Sequence, residues 1–210
     1  MFRAALVLIA AALALGSAAP ALAAVPPNPA PWPDQFTVHF KLSIPRVLAL
    51  GLPSVLHYDW TNRRQAVIHE QCPIVTFTQC RMLFSPQGTF IIDSALGFCC
   101  KAADFGTFPP YMFSNFSTFN GTETVNGLLT NKWNLFDHGD YFTDVASAAP
   151  VKFRADAGAA GIVWWDFLGP FRNEVPDEAN FKLPALCVLK CPIDQSNFYM
   201  NDIWSRRQHS

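Results

Sequence analysis

Two histidines stand beside acidic residues at spacings that acid–base catalysis could use. His57 precedes Asp59 by two residues, which places both on one face of an extended strand as a base and the group that orients it. His69 and Glu70 are adjacent and would point to opposite faces of a strand. For His57 and Asp59, a partly exposed polar pair on a hairpin is an equally good explanation. For His69 and Glu70, ordinary surface polarity is the better explanation. We therefore predict no catalytic residue from these histidines.

The densest group of oxygen ligands is an acidic cluster late in the chain. It contains Asp137, His138, Asp140 and Asp144, and hard cations such as calcium prefer carboxylate and carbonyl oxygens. The spacing differs from that of an EF-hand loop, whose ligands alternate and end in a glutamate. Asp137, Asp140 and Asp144 are candidate calcium ligands, although a solvated acidic turn is the simpler interpretation. A second, weaker acidic group comprises Glu174, Asp177 and Glu178.

Other catalytic and metal signatures are missing from the sequence. There is no G-x-S-x-G motif, no phosphate-binding P-loop, no G-x-G-x-x-G and no D-x-D. The cysteines form no C-x-x-C pair and the histidines no H-x-x-x-H pattern, which argues against a zinc site. We expect a protein that is not an enzyme and that has no resident cofactor other than the candidate calcium. The paired carboxylates of a glycan hydrolase can lie far apart in sequence, so glycan processing stays open as an alternative.

The charge balance argues against a nucleic-acid partner. Lys and Arg number 15 against 16 Asp and Glu, and the basic residues cluster only as Arg63-Arg64 and Arg206-Arg207. Hydrophobic residues make up 50% of the chain, and aromatic residues 14%, with 19 Phe, 6 Trp and 4 Tyr. This composition predicts one compact domain with a large apolar volume, either as core or as cavity.

The first residues have the pattern of a secretory signal peptide. Arg3 gives a positive start, Ala4 to Leu15 form a short apolar run, and Ala21-Leu22-Ala23 offers a cleavage site before Ala24. We expect residues 1–23 to be removed, and no transmembrane segment in the rest of the chain. The protein is therefore predicted to be secreted and extracellular, or to reach an endomembrane lumen such as a vacuole or lysosome.

The cysteines and two sequons also favour export. An even number of cysteines in an oxidising compartment indicates up to three disulfides, and counting alone leaves their pairing open. The six cysteines are Cys72, Cys80, Cys99, Cys100, Cys187 and Cys191. Asn115-Phe116-Ser117 and Asn120-Gly121-Thr122 are glycosylation sequons, and we expect Asn115 and Asn120 to lie on one polar surface loop.

The elements that carry these residues are predicted to be strands, because the dominant hydrophobic period is two. Phe36, Val38, Phe40 and Leu42 alternate with polar residues. Turn residues at 61–64, 86–88 and Asn126-Gly127 predict three hairpins. Further strands are expected over 141–145, 151–155 and 162–168, and a short helix after Pro192.

The segment from Gly161 to Phe171 is apolar on both faces, with Asp166 as its sole charge. One face carries Ile162, Trp164 and Leu168, and the other carries Val163, Trp165, Phe167 and Phe171. An antiparallel strand of this kind must be covered on both sides. One cover is the ordinary core, and the other is a second sheet, a helix, a partner subunit or a bound apolar ligand. A filled core is the simplest interpretation, and a ligand-lined concavity is the main alternative.

Several short motifs, taken in order, resemble the ependymin-related secreted proteins and their plant and algal relatives. The motifs are PWPDQF at Pro31 to Phe36, YDWTN at Tyr58 to Asn62, TFIID at Thr89 to Asp93 with Cys99 six residues on, Val125 to Trp133, and WWDF at Trp164 to Phe167 followed by Cys187. The sequence departs from the plant-type pattern at Thr130, where those relatives have a cysteine. Cys72 and Cys80 compete for one family position, and Cys100 is extra.

The resemblance implies a mainly β fold, in which a curved antiparallel sheet with few short helices forms a half-barrel similar to the bacterial lipoprotein carrier LolA. Proteins of the family are thought to bind hydrophobic ligands, and several associate with calcium and form homodimers. The resemblance also implies that Cys99 pairs with Cys187 and Cys72 with Cys191, which would leave Cys80 for Cys100.

These observations together predict a secreted, disulfide-stabilised half-barrel over residues 36–192 that binds a lipid or fatty acid. An extended, proline-rich segment over 24–35 precedes it, and a tail over 193–210 follows. The predicted pocket residues are Trp60, Phe90, Trp133, Phe142, Phe153, Trp165 and Phe167. A glycan-binding or glycan-processing protein and a structural or adhesive extracellular protein are the two alternatives. A lipid pocket needs few polar groups, whereas a sugar site needs carboxylates and amides beside its aromatic rings.

Overall fold

The computed structural model describes residues 28–44, 48–72, 78–135, 139–156 and 162–185, together with residues 26, 187, 190 and 191. The predicted signal peptide and the predicted helix after Pro192 lie outside the described residues. In the part that is described, no helix is both long enough and apolar enough to span a bilayer.

Eleven strands and very little helix make up the described chain. The strands are β1 Gln35–Ile44, β2 Leu48–Asp59, β3 Arg64–His69, β4 Cys80–Ser85, β5 Gly88–Asp93, β6 Phe98–Ala103, β7 Ser117–Val125, β8 Leu128–Leu135, β9 Gly139–Asp144, β10 Pro150–Asp156 and β11 Ile162–Phe167. The helical elements are α1, Met112–Asn115, and a 3-10 turn, Glu178–Phe181. The mainly β prediction with few short helices is confirmed.

All eleven strands form one antiparallel sheet in the order β6-β5-β4-β3-β2-β1-β11-β10-β9-β8-β7. The three predicted hairpins are present as β2–β3, β4–β5 and β7–β8. Asn126 and Gly127 both have positive φ, 52° and 80°, as the two-residue turn that matches strand twist requires. The two halves of the sheet meet where β1 pairs with β11, with Leu42 opposite Trp165.

The sheet is strongly curved, and Trp32, which precedes β1, lies against its inner side. The Trp32 ring centroid is 5.8 Å from that of Tyr58 on β2, and its Nε1 donates to the hydroxyl of Tyr141 on β9 at 3.1 Å. β2 and β9 are four positions apart in the sheet, about 19 Å if the sheet were flat. One indole reaches both strands because the sheet bends toward it. We call this side the concave face.

The main hydrophobic core covers the concave face. It joins alternate residues of the strands with a cover made of the chain before β1 and the segment between β6 and β7. The cover residues of this core are Trp32, Phe108, Met112 and Phe113, with Phe105 packed at its margin. The core is therefore formed by one sheet and a thin irregular cover, with no second sheet among the described residues.

After β11 the chain first runs beside β1 and then crosses the opposite, outer side of the sheet to Cys187; we call the described residues from 168 to 191 the strap. Arg172 exchanges two backbone hydrogen bonds with Thr37 on β1. Arg64 on β3 binds the Glu178 carboxylate through both terminal nitrogens, at 2.7 and 2.6 Å. Phe181 lies in a second core with Leu83 and other outer residues of β3, β4 and β5. The strap therefore shields the outer side of half the sheet from water.

The disulfides differ in part from those that the resemblance implied. Cys99 pairs with Cys187 as expected, but Cys72 pairs with Cys80, and Cys100 pairs with Cys191. Adjacent residues of a strand point to opposite faces, so Cys99 bonds on the outer side and Cys100 in the concave core. Cys191 N also donates to the Lys101 carbonyl, which brings Cys191 beside β6.

The second apolar face of β11 is covered in a way that the sequence did not suggest. Val163, Trp165 and Phe167 point into the concave core, whereas Trp164 lies on the outer side. Lys152 Nζ sits 4.2 Å from the Trp164 ring centroid and forms an ion pair with Asp166 at 2.9 Å. Charged side chains of the neighbouring strand cover the outer face here, because their long apolar stems can pack on a ring while their charged ends stay in water.

The two sequons do not share a surface loop, which corrects that expectation. Asn115 ends α1, and Asn120 lies within β7. Both side chains are exposed. The hydroxyl of Ser117, which belongs to the first sequon, is buried and donates to the Phe113 carbonyl.

Candidate functional site

The predicted pocket residues do not all lie together. Four of them, Trp133, Phe153, Trp165 and Phe167, belong to the concave core, and Trp60 packs against its margin. Phe90 lies on the outer side beneath the strap, and Phe142 lies in a small outer cluster with Val125 and Val151. Each of these two is one residue away from a concave position, Ile91 and Tyr141 respectively. Because strand side chains alternate, a shift of one residue reverses the face.

A column of stacked rings runs along the concave face at the junction of β1 and β11. Phe40 stacks on Trp165 with ring centroids 4.6 Å apart, and Phe153 meets Trp165 edge-on at 6.2 Å. The ring centroid of Phe167 lies 6.4 Å from that of Phe40. Phe40 is missing from the predicted pocket although its strand alternation was recognised. Its place opposite Phe167 depends on a pairing between distant strands, which local periodicity cannot show.

The described cover contacts part of this face, including Phe153 through Phe113 at 5.3 Å. Trp32 stacks on Phe113 at 4.6 Å and contacts Phe36, Tyr58 and Phe167, and Phe113 stacks on Tyr141 at 4.3 Å. The ring contacts described for Phe40 involve His69, Trp165 and Phe167, and none involves the cover. The Phe40–Trp165 end is nonetheless buried, with 0% and 4% of these side chains exposed.

Most polar groups under the cover are satisfied within the chain. Trp133 Nε1 donates to Thr143 Oγ1 at 3.0 Å, and the Tyr58 hydroxyl donates to the Phe108 carbonyl at 2.7 Å. Burial raises the pKa of Tyr58 and of Tyr141, so both phenols stay neutral. This end of the face is an apolar core with its few polar atoms paired.

A polar pair lies further along the same face. Ser54 on β2 and His69 on β3 are directly opposite in the ladder, and Ser54 Oγ is 2.8 Å from His69 Nδ1. Ser54 Oγ also donates to the Leu52 carbonyl at 3.2 Å. Burial lowers the pKa of His69 to about 4, so the imidazole is neutral near pH 7. His69 is 1% exposed, and the expectation that it forms part of a polar surface is wrong.

Among the described residues, four buried side-chain atoms have no hydrogen-bond partner: Gln65 Oε1, His69 Nε2, Arg81 Nε and Trp165 Nε1. Arg81 lies on the outer side, where its terminal nitrogens donate to two carbonyls of the strap. The other three belong to positions that face the concave core. Orphaned polar atoms in an otherwise well-paired interior are uncommon and mark the places where a water or a ligand would bind.

His57 and Asp59 share the outer face of β2, as their spacing predicts, but each binds other groups. His57 Nδ1 is 3.1 Å from Thr37 Oγ1. Asp59 accepts hydrogen bonds from Gln35, Asn62 and Arg64; these lower its pKa although burial acts in the opposite direction. Asp59 therefore anchors the β2–β3 turn, and no described contact makes it the orienting partner of His57.

The candidate calcium ligands are only partly described. Asp137, together with His138, lies outside the described residues. Asp140 Oδ2 is 3.0 Å from Arg154 Nη1 and 3.6 Å from Lys132 Nζ. Asp144 accepts hydrogen bonds from the turn that follows it, including one from Ser147 Oγ at 2.6 Å. Among the described residues no group of three or more metal-ligating side chains is present. Calcium binding stays a prediction.

The weaker acidic group belongs to the strap. Asp177 accepts a hydrogen bond from Ala179 N at the start of the 3-10 turn, and Glu178 pairs with Arg64. Glu174 is 3.7 Å from Arg172. Glu178 therefore joins the strap to β3, whereas the contacts of Asp177 and Glu174 lie within the strap.

The fold and the core define a disulfide-linked, single-sheet β protein with an aromatic concave face. The chain belongs to a family known as a domain of unknown function (DUF8395), whose model matches residues 31–187. The ependymin-related resemblance finds no support in this match. No curated protein matches.

Three solved structures show distant similarity. An uncharacterized conserved protein from Thermus thermophilus is 9% identical, with 74% of this chain and 88% of that chain covered and a TM-score of 0.48. MucB in complex with MucA(peri) is 12% identical, with 75% and 57% covered and a TM-score of 0.39. A putative outer membrane lipoprotein-sorting protein domain from Vibrio parahaemolyticus is 11% identical, with 70% and 88% covered and a TM-score of 0.33. These scores are too low to carry a function across.

Proposed function

We propose that this protein binds a hydrophobic ligand, a lipid or fatty acid, on the concave face of its sheet. The observation that carries the proposal is the arrangement of aromatic rings on one side of a single-layer sheet. Phe40, Phe153, Trp165 and Phe167 form a continuous apolar surface. The cover contacts Phe153 through Phe113 and Phe167 through Trp32, whereas the ring contacts described for Phe40 and Trp165 are with residues of the sheet. Three disulfides fit a protein of an oxidising compartment, and we propose that it is secreted.

Binding at such a site is driven by the burial of apolar surface and requires no catalytic residue. Burial of apolar surface contributes roughly 25 cal/mol per Å², so a few hundred Å² of acyl chain provide several kcal/mol before the costs of association. Because the rings of Phe40 and Trp165 are buried, a ligand has to displace the side chains that cover them. We therefore expect uptake to be slower than diffusion-limited encounter.

Native mass spectrometry of the purified secreted protein, followed by organic extraction, tests the proposal directly. A co-purifying lipid supports it, and efficient turnover of a panel of glycans by the same preparation contradicts it. Calcium and homodimer formation, which the family resemblance implies, are measured in the same spectra.

Two adjacent tryptophans provide a matched pair of variants. Trp165→Glu places a charge in the concave core, and we expect it to abolish uptake of a fluorescent fatty acid. Trp164→Glu changes the neighbouring residue on the outer side, beside Lys152 and Arg154, and we expect uptake to be retained. Mass analysis confirms that the disulfides remain, and Trp165→Leu gives a second, uncharged variant. Unchanged uptake in folded Trp165 variants would remove this residue from the site.

The glycan-binding alternative is favoured by one outer feature. Trp164 lies beside Asp166, whose carboxylate pairs with Lys152 and is 3.4 Å from the Asn126 amide nitrogen. A ring flanked by a carboxylate and an amide is the composition that sugar sites use. Glycan binding that is lost with Trp164→Glu and kept with Trp165→Leu would favour this alternative over the lipid site.

A further inference from the structure

The ligand site inferred above contains two buried hydrogen-bonding atoms that have no partner in the part of the chain that the structure describes. His69 Nε2 and Trp165 Nε1 are both in this state, and both side chains are more than nine-tenths buried. They contact the same ring from different strands. Trp165 stacks on Phe40 at 4.6 Å, and His69 meets Phe40 edge-on at 6.4 Å.

The hydrogen bonds of Ser54 determine what His69 Nε2 offers. Ser54 Oγ has one proton, and its two contacts are the Leu52 carbonyl at 3.2 Å and His69 Nδ1 at 2.8 Å. A carbonyl can only accept, so both contacts are hydrogen bonds only if the hydroxyl donates to Leu52 and His69 Nδ1–H donates to Ser54. The second nitrogen of the neutral imidazole then carries a lone pair. His69 Nε2 is an acceptor, and Trp165 Nε1 is a donor.

The surroundings disfavour a charged partner for these atoms. The neighbours of His69 across the ladder are Ser54 and the disulfide-bonded Cys80. Phe40 and Leu42 line the same part of β1, and the carboxylate of Asp93 on β5 already accepts hydrogen bonds from Ala95 N, Leu96 N and Thr78 Oγ1. An isolated charge is costly in such a place, whereas a neutral polar group that pairs with both atoms is not.

We propose that the ligand has a neutral polar end that both donates and accepts a hydrogen bond, a hydroxyl or a protonated carboxyl, held by His69 Nε2 and Trp165 Nε1. This inference rests on the proposed function and specifies the chemical class of the ligand. The apolar chain lies along the rings, and the polar end gives the site its selectivity. Ser54 is a positioning residue, because it fixes the imidazole proton on Nδ1.

Three probes of equal chain length separate this inference from the proposed function: hexadecan-1-ol, its methyl ether and hexadecane. Each probe is measured by its competition with a dansyl-labelled undecanoic acid. Two probes are compared by the ratio of their inhibition constants in the same variant, because this ratio does not depend on how tightly that variant binds the labelled acid. We expect the alcohol to bind about tenfold tighter than the ether, because the ether cannot donate to His69 and one hydrogen bond contributes about 1.4 kcal/mol at the upper end of its range. Palmitic acid, tested beside the alcohol, distinguishes a carboxyl from a hydroxyl.

The variants assign the two contacts. His69→Leu should bring the ratio of alcohol to ether close to one. Trp165→Phe keeps an aromatic ring and removes the N–H, so it should weaken alcohol and ether alike relative to hexadecane. Trp164→Phe is the matched control, because it also removes an indole N–H but lies on the outer side of the sheet beside Lys152, and it should leave all ratios unchanged.

Each outcome bears on one of the two claims. If the probes bind with equal affinity in the unaltered protein, the two atoms hold only water and the inference is wrong, while the hydrophobic site stands. If the preference for the alcohol survives both His69→Leu and Trp165→Phe, these residues are not the anchors. If no probe binds, the proposed function and the inference fail together.

Discussion

Cys99 and Cys100 are neighbours in β6, yet their disulfides leave the sheet on opposite faces, to Cys187 and Cys191 respectively. The two bridges therefore join the same edge strand to the same part of the strap from both sides. They close nearly the same loop, with sequence separations of 88 and 91. This nesting determines how much each contributes to stability.

The first prediction is that these two disulfides are strongly non-additive. Once one bridge is present, the other closes a loop of only a few residues, and the chain-entropy relation gives about 2 kcal/mol for it. Removing both also releases the long loop, which adds about 5 kcal/mol and brings the total loss to about 7 kcal/mol. Urea unfolding of Cys99→Ala/Cys187→Ala, of Cys100→Ala/Cys191→Ala and of the quadruple variant measures this. Equal, additive losses would show that strain or packing, rather than loop entropy, dominates.

The second prediction concerns acid stability. Burial lowers the pKa of His69 from 6.5 to about 4, so the unfolded state binds a proton more readily between these values. Stability from this group is complete above about pH 6.5 and falls as the pH drops toward 4, by about 3 kcal/mol in total. His69→Leu should flatten this part of the curve of unfolding free energy against pH. The control is Val67→Ala, at another buried residue of β3 that does not titrate, which should lower the whole curve without changing its slope.

The third prediction separates a buried ion pair from an exposed one on the same arginine. Arg64 Nε is 2.8 Å from the buried carboxylate of Asp59, and its terminal nitrogens bind the exposed Glu178. Arg64→Met keeps an apolar stem over the Phe181 ring but leaves Asp59 without its cation, which should cost about 2 kcal/mol. Glu178→Gln should cause little measurable loss, because exposed ion pairs contribute little. Thermal unfolding compares them, and equal losses would contradict this division.

The fourth prediction tests the hydrogen bond that joins the cover to β9. Tyr141→Phe removes the acceptor of Trp32 Nε1 and leaves a buried N–H unpaired, at a cost of about 1 to 2 kcal/mol. Tyr111→Phe, at a residue whose side chain is 41% exposed, should be close to neutral. Chemical denaturation gives both values. A neutral Tyr141→Phe would mean that water replaces the phenol, which requires a looser cover than the one described.

Several features of this protein follow from the sequence alone. The period-two pattern of Phe36 to Leu42 and the Asn126-Gly127 turn predicted a strand and a hairpin, since both depend on residues close in the chain. The alternation of Trp164 and Trp165 also fixed that these rings face opposite sides. Each strand except β6 lies where the sequence predicted one, and the pairing of Cys99 with Cys187 agrees with what the family resemblance implied.

Only the tertiary structure decided which side is concave and what meets there. The pairing of β1 with β11 places Phe40 against Trp165, and the pairing of β2 with β3 places Ser54 against His69. Phe40 and Trp165 are far apart in sequence, whereas Ser54 and His69 lie on a predicted hairpin whose register and buried face the sequence left open. Alternation alone cannot tell inside from outside. For the same reason Phe90 and Phe142 were assigned to the pocket although they lie on the outer side. Local periodicity fixes the relative directions of side chains, whereas their partners depend on how distant strands close the sheet.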